Sequence, residues 1–206
     1  MTQKETEYYL YCGIKLGWHD KTFADYTNDE KALKMVRNYI RKSDEFVNDG
    51  LGMYLWGSNG TGKSHLLNCA FKRFIEKGYT VRLFSMDELV DKYTSSWYSD
   101  EQKQDLTKIL RDVQFLGIDE FGKNVDSSGE PLPIPDFVKR VIESVVRYRV
   151  QMKHPLWITS NTEPKYVKKV FSEDVASLLS EAVVTVCVTG GDFRKTIASR
   201  NKRKLM

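Results

Sequence analysis

The sequence predicts an α/β fold with a mostly parallel central sheet flanked by helices, and three observations predict it. Residues 57–64 read Gly-Ser-Asn-Gly-Thr-Gly-Lys-Ser, a complete G-x-x-x-x-G-K-[ST] pattern, with the apolar run Met53–Trp56 before it and the helix-like stretch Leu66–Ile75 after it. Strand-like and helix-like segments then alternate as far as residue 188, as parallel strands joined by crossover helices do. Two of the strand-like runs, Phe115–Glu120 and Leu156–Asn161, end in polar residues, at the edge where open α/β sheets bind ligands.

The elements follow in order. Residues 1–50 read as a short, polar, mainly helical segment with a turn near Gly17–Asp20; Leu33, Val36, Ile40 and Phe46 recur at helical spacing over Asn28–Phe46. Asn48–Gly52 is a turn that opens the first strand. Gly78 ends the helix after the glycine-rich loop, and Thr80–Phe84 is a strand. Met86–Tyr93 and Gln102–Arg111 are helical, and Val113–Ile118 is a buried strand. Residues 121–136 form a loop holding three of the five prolines. Phe137–Gln151 is a long amphipathic helix, Leu156–Thr159 a strand, Val170–Leu179 a helix and Val183–Val188 the last strand. The chain thus divides into a segment 1–50, an α/β core 51–195 and a basic tail 196–206.

With 206 residues, 41% hydrophobic and 29% charged, the chain has the balance of one sizeable water-exposed domain. No apolar run approaches the roughly 18 residues of a membrane span, and the polar start Met-Thr-Gln-Lys-Glu has no signal-peptide core. Cys12, Cys69 and Cys187 are far apart and form no C-x-x-C pair, which argues against a zinc site or a disulfide framework and suits the cytoplasm. Net charge is +4, but Asp192–Met206 holds six basic residues and one acid, so the rest of the chain is slightly acidic. Such a tail is either a solvated end or a contact for phosphate backbones.

The glycine-rich loop carries the clearest chemistry. Gly57, Ser58, Asn59, Gly60, Thr61, Gly62 and His65 would wrap phosphates with backbone N–H groups at a helix start, where the helix dipole adds positive charge. Lys63 would reach the β- and γ-phosphates and is expected to face solvent; the Ser64 hydroxyl would ligate Mg²⁺. Asp119 would hold the same ion and Glu120 would polarise an attacking water as general base. Asn161 is placed to hydrogen-bond both γ-phosphate and water. A second stretch mixes cations with aromatics: Lys92, Tyr93, Trp97, Tyr98, Lys103, Lys108 and Arg111. Bases stacking on aromatics beside phosphate-neutralising lysines would suit single-stranded DNA, with Lys92, Trp97, Lys103 and Lys108 as the contacts. The alternative is that Tyr93 and Trp97 pack on the sheet; Asp100, Glu101 and Asp105 dilute the positive field.

GSNGTGKS, FLGIDEF and WITSN, in this order and spacing, resemble Walker A, Walker B and sensor 1 of an AAA+ ATPase. The fuller pattern resembles the DnaC/IstB branch of replicative helicase loaders and transposition helper ATPases. Gly13-Ile14-Lys15 followed by Thr22-Phe23 is similar to the segment preceding the core there, Arg149 matches an arginine ahead of the sensor strand, and Gly190–Arg194 resembles a closing G-x-D-[YF]-R motif. The resemblance covers roughly residues 13–195. It implies an AAA+ core without a large C-terminal lid, with ATP and Mg²⁺ as cofactors and Arg194 at the nucleotide. It further implies hydrolysis to ADP and phosphate that is weak without a partner. The implied partners are a replicative helicase and single-stranded DNA, with a homo-oligomer forming on either. Initiator-type members place DNA-facing helices where the basic and aromatic stretch lies. The small size fits a phage or mobile-element version.

Two departures stand out. Where the branch has an S-R-L or D-R-L motif whose arginine acts on a neighbour's ATP, this chain has Ser177-Leu178-Leu179, and Arg149 or a partner protein is left to supply that charge. Only about fifty residues precede the phosphate loop, whereas loaders of the branch carry a helicase-gripping N-terminal domain. A transposition helper, a small-molecule kinase and a weakly hydrolysing module acting on the helicase are the alternatives; for the kinase no arginine-rich lid is seen.

Overall fold

Five strands, β1 (Gly52–Trp56), β2 (Val81–Ser85), β3 (Phe115–Asp119), β4 (Leu156–Ser160) and β5 (Val183–Cys187), form one sheet in the order β2-β3-β4-β1-β5, every pair parallel. The structure, a computed structural model, describes residues 2–96, 99–122 and 134–193. Its helices are α1 (Gln3–Tyr11), α2 (Glu30–Arg41), α3 (Ser43–Asp49), α4 (Lys63–Glu76), α5 (Met86–Ser95), α6 (Asp100–Asp112), α7 (Asp136–Gln151), α8 (Val167–Val170) and α9 (Glu173–Ala182). Among the described residues no helix is long and apolar enough to cross a membrane. The predicted α/β class, a mostly parallel sheet with flanking helices, is the fold observed.

The strands are apolar on both faces because both faces are covered. Side chains alternate along each strand, so Met53, Leu55, Phe115 and Trp157 point to one layer and Tyr54, Leu116, Ile118, Leu156 and Ile158 to the other. The first layer is closed by α2 and α4 together with Cys12, Ile14, Phe23 and Tyr26 of the chain's start. Phe74 stacks on Phe115 with centroids 3.9 Å apart, and Trp157 meets both Phe74 and Tyr39 edge to face. The second layer is closed by α5, α6, α7, α8 and α9.

Two expected helices are broken in the structure. Asn28–Phe46 divides at Lys42, which ends α2 and starts α3. The bend brings Phe46 onto Tyr39, 4.8 Å between centroids, and Gly50 in a left-handed conformation (φ 73°) ends α3. Val170–Leu179 divides at Phe171, which stacks on Phe121 at 4.2 Å; Ser172 then caps α9 by accepting the Val175 N–H. In both cases the apolar spacing continues through the break, so periodicity alone could not detect it. Trp97, Tyr98, residues 123–133, Arg194 and the tail 196–206 lie outside the described residues.

Candidate functional site

The phosphate-type loop joins β1 to α4, and its glycines have backbone conformations that a side chain would spoil. Gly57 (φ 148°) sits so close to β5's end that a Cβ would lie 2.2 Å from the Val188 carbonyl oxygen. Gly62 (φ 93°) is the N-cap of α4 and packs against the Tyr26 ring. The loop is tied from outside. Tyr26 Oη and Asn28 Nδ2 donate to the Thr61 carbonyl at 3.1 and 3.2 Å, and the Phe193 N–H donates to the Gly60 carbonyl at 2.8 Å. Gly57 N–H reaches the Ser160 carbonyl of β4 at 3.3 Å. Ser58 and Asn59 at the loop's tip are exposed.

Lys63 corrects a sequence expectation. It does not face solvent: it is buried, and its Nζ donates to the carbonyls of Gly57 and Ser58, both at 2.8 Å. The ammonium folds back over the loop because two nearby carbonyl oxygens satisfy it there.

Beside it lies a network of oxygens. Ser64 Oγ, in the first turn of α4, donates to Asp119 Oδ1 at 2.9 Å, joining the loop to the end of β3. Thr159 Oγ1 of β4 donates to the same carboxylate oxygen and accepts the Glu120 N–H at 3.0 Å. Burial raises the Asp119 pKa, and the Thr159 and Ser64 hydroxyls oppose that rise. Glu120 has a left-handed backbone (φ 60°), a conformation that strains a non-glycine residue by about 1–3 kcal/mol and is held by the Thr159 bonds on either side of it. Its side chain is exposed. Among the described residues no three His, Cys, Asp or Glu side chains cluster to hold a metal alone. The Ser64–Asp119 pair instead offers two hard oxygens side by side. That donor set fits Mg²⁺, which keeps several waters and shares phosphate oxygens.

Lys63, Ser64, Asp119, Glu120, Ser160 and Asn161 line one cleft of about 260 Å³. The structure therefore brings together the loop, the paired acids and the asparagine. The same cleft is also lined by aromatic rings: Trp18, His65 and Phe193. His65 meets Trp18 edge-on at 6.0 Å and Phe193 at 5.7 Å, and Tyr26 lies 5.7 Å away. Sequence reasoning missed Trp18, Tyr26, Thr159 and Phe193. The signals available were the Thr22-Phe23 lead-in near Trp18 and Tyr26, the WITSN run, which contains Thr159, and the closing Gly190–Arg194 run, which contains Phe193; none of them singled these residues out. Burial lowers the His65 pKa, keeping the ring neutral, and its Nε2 bonds the Thr22 carbonyl at 2.8 Å.

One further residue is placed differently from expectation. Arg149 is not available as a replacement cation. It is fully buried, and its guanidinium donates to the carbonyls of Leu110, Val113, Gln114 and Pro155 at 2.8–3.0 Å. Burial pulls its pKa down to about 9, which still leaves it charged at neutral pH. Leu178 is half-buried and packs against the second layer. Of the DNA candidates, Lys103 and Lys108 are exposed on α6 and line one shallow groove with Arg111 and Tyr148, while Lys92 lies in a different groove with Arg82 and Asp105. Asp100 and Asp112 sit among the lysines of the first groove.

Comparison with known proteins now adds to this geometry. No family model matches the chain. It is 27% identical over 172 residues to the replicative helicase loader DnaC of Buchnera aphidicola subsp. Acyrthosiphon pisum, covering 82% of this chain and 63% of that protein. It is likewise 27% identical over 148 residues to DnaC of Escherichia coli K12, covering 70% of this chain and 55% of that protein. The chain thus spans less than two thirds of the length of these curated relatives. Among solved structures, the DnaC helicase loader superposes with a TM-score of 0.71 at 18% identity, over 85% of this chain and 100% of that one. The replication initiator DnaA bound to AMPPCP and single-stranded DNA superposes with a TM-score of 0.67 at 15% identity, over 92% of this chain and 56% of that one. These likenesses show that the chain shares the fold of the DnaC helicase loader and of DnaA, and the curated relatives are DnaC loaders, the branch that the motifs resemble.

Proposed function

We propose that the chain is an ATP-binding and ATP-hydrolysing protein of helicase-loader type, which helps place a replicative helicase on single-stranded DNA during replication. One observation carries the reading: the phosphate-type loop, the Ser64–Asp119 pair, Glu120 and Asn161 share one cleft, on a fold common to DnaC. In this reading Gly57–His65 cradle the phosphates, and Lys63 exchanges the Gly57 and Ser58 carbonyls for phosphate oxygens. Ser64 and Asp119 would hold Mg²⁺, which neutralises charge on the phosphates. Glu120 takes a proton from the water that attacks the γ-phosphorus, and Asn161 orients that water and the phosphate; the γ-phosphoryl–ADP bond breaks, leaving ADP and inorganic phosphate. Arg194 would contact the nucleotide by the resemblance of the closing motif. The lysines of α6 and Trp97 contact DNA, and the ATP-bound and ATP-free forms differ in their grip on helicase or DNA.

Turnover by the isolated chain is slow in this account, because a packed leucine stands at the aligned position of the trans-acting arginine. That same residue favours a second reading, a module that binds the helicase in an ATP-dependent way with little hydrolysis. Mixing the purified chain with a replicative helicase and single-stranded DNA, with ATP or a non-hydrolysable analogue, tests the two together. Loader function requires ATP-dependent deposition of helicase on DNA, lost with Glu120→Gln. ATP-dependent helicase binding with no deposition supports the second reading, and no helicase binding under any condition defeats both.

A further inference from the structure

One face of α4 is stitched to the chain's lead-in. His65, Cys69 and Lys72 fall at i, i+4 and i+7, a single helical stripe, and all three bond backbone carbonyls between residues 18 and 22. Lys72 dominates the stripe. It is 7% exposed, and its Nζ donates to the carbonyls of Trp18 (2.7 Å), His19 (3.1 Å) and Lys21. An ammonium buried against backbone oxygens alone is costly, and an apolar side chain would fill the same space more cheaply. What the ammonium adds is direction: it gathers three carbonyls at the end of the short 3₁₀ turn Leu16–Trp18 and fixes where that turn sits. Burial lowers its pKa, and the charges of Asp20 and Glu76 oppose that only in part.

The turn so fixed carries Trp18, whose ring stands edge-on to His65 and lines the same cleft as Lys63, Asp119 and Glu120. If the phosphates occupy the loop, the rest of a nucleotide needs a place in the same cleft, and the rings of Trp18, His65 and Phe193 that line it offer flat surfaces that suit a base. We infer that Lys72 is a positioning residue that holds Trp18 as a platform for the nucleotide base. The inference rests on the proposed nucleotide site and adds to it the part of the ligand that the loop motif does not specify.

Calorimetric titration with two probes, ATP and inorganic tripolyphosphate, each with Mg²⁺, separates the base from the phosphates. Trp18→Ala and Lys72→Met should each weaken ATP binding about tenfold and leave tripolyphosphate binding unchanged, since stacking on an aromatic ring contributes on that scale. Trp18→Phe and Lys72→Arg, which keep a ring and a charged donor, should restore most of the loss. Thermal melts of each variant show whether the fold survives. An unchanged ATP affinity in Trp18→Ala overturns the platform. Equal losses for both probes in Lys72→Met, or a loss that Lys72→Arg does not recover, overturn the positioning role. Wild-type protein that takes tripolyphosphate but not ATP defeats the platform and leaves the phosphate loop standing; wild-type protein that binds neither defeats the nucleotide reading itself.

Discussion

The two ends of β3 and β4 use buried cations in opposite ways. At the carboxyl ends, Lys63 is held by two carbonyls of one short loop, next to a carboxylate, two hydroxyls and a left-handed Glu120. At the amino ends, Arg149 is held by four carbonyls drawn from the end of α6, the two residues before β3 and the residue before β4. The first arrangement can be exchanged for a ligand, because phosphate oxygens can replace two carbonyls with stronger, charge-assisted bonds. The second has no such substitute and serves as a clamp. Two buried cations thus do different work, and the origin of their carbonyl partners distinguishes them.

The largest expected effect tests the clamp. Arg149→Ala leaves four carbonyls without their donor and should destabilise the fold by about 3–5 kcal/mol in a denaturant melt. Arg149→Lys should recover part of that, because one ammonium cannot span all four oxygens. A near-wild-type melt for Arg149→Ala would remove the contrast between the two ends. At the opposite end, Glu120→Gln should leave ATP affinity intact and slow hydrolysis by about 10²-fold, measured with helicase and DNA present. The amide keeps the shape and loses the base, so an equal rate would transfer that role elsewhere.

A smaller effect concerns the α6 surface. Lys103→Ala and Lys108→Ala should each reduce the slope of log affinity for single-stranded DNA against log salt by about 0.7. Lys92→Ala, in a separate groove, tests whether the two grooves act together. No change in slope for any of the three returns this face to ordinary solvated surface.

The smallest effect is a pH dependence. His65 is buried neutral and its pKa is lowered from the usual 6.5, chiefly by desolvation. The unfolded chain therefore takes up protons before the folded one does as pH falls. This group's contribution is fully present above about pH 6.5 and is lost as the pH drops below it, until the folded pKa is passed. Melts of the wild type and of His65→Gln between pH 5 and 7.5 should differ in slope, with the variant flatter on the acid side.

The loop, the acid pair and the sensor strand were legible in the sequence because each is a local pattern: neighbouring residues specify both the backbone and the chemistry. The sheet was legible for the same reason, since apolar runs of four to six residues bounded by turns read as buried strands. Arg149 was visible as a matching position, but its work depends on carbonyls from three separate segments, and no linear pattern records where carbonyls point. Lys63 was legible in identity and not in pose, because the pose depends on how tightly Gly57 and Ser58 curl. Trp18, His65 and Phe193 come from distant parts of the chain, and only the packing of the lead-in against α4 unites them. The helix breaks at Lys42 and Phe171 escaped because the apolar spacing runs on through both, and that spacing does not record the ring contacts Tyr39–Phe46 and Phe121–Phe171 at the breaks.

The account's central claim is that this cleft binds a nucleotide through an exchangeable Lys63. Titrating ATP with Mg²⁺ into the wild type and into Lys63→Ala, with a thermal melt of each, tests it most directly. The expected result is saturable binding by the wild type, a loss of about 10²-fold or more in the variant, and a variant that still melts as a folded protein, because the exposed Ser58 lets water reach the loop when the ammonium is gone. Equal ATP affinity in the two proteins would contradict the claim.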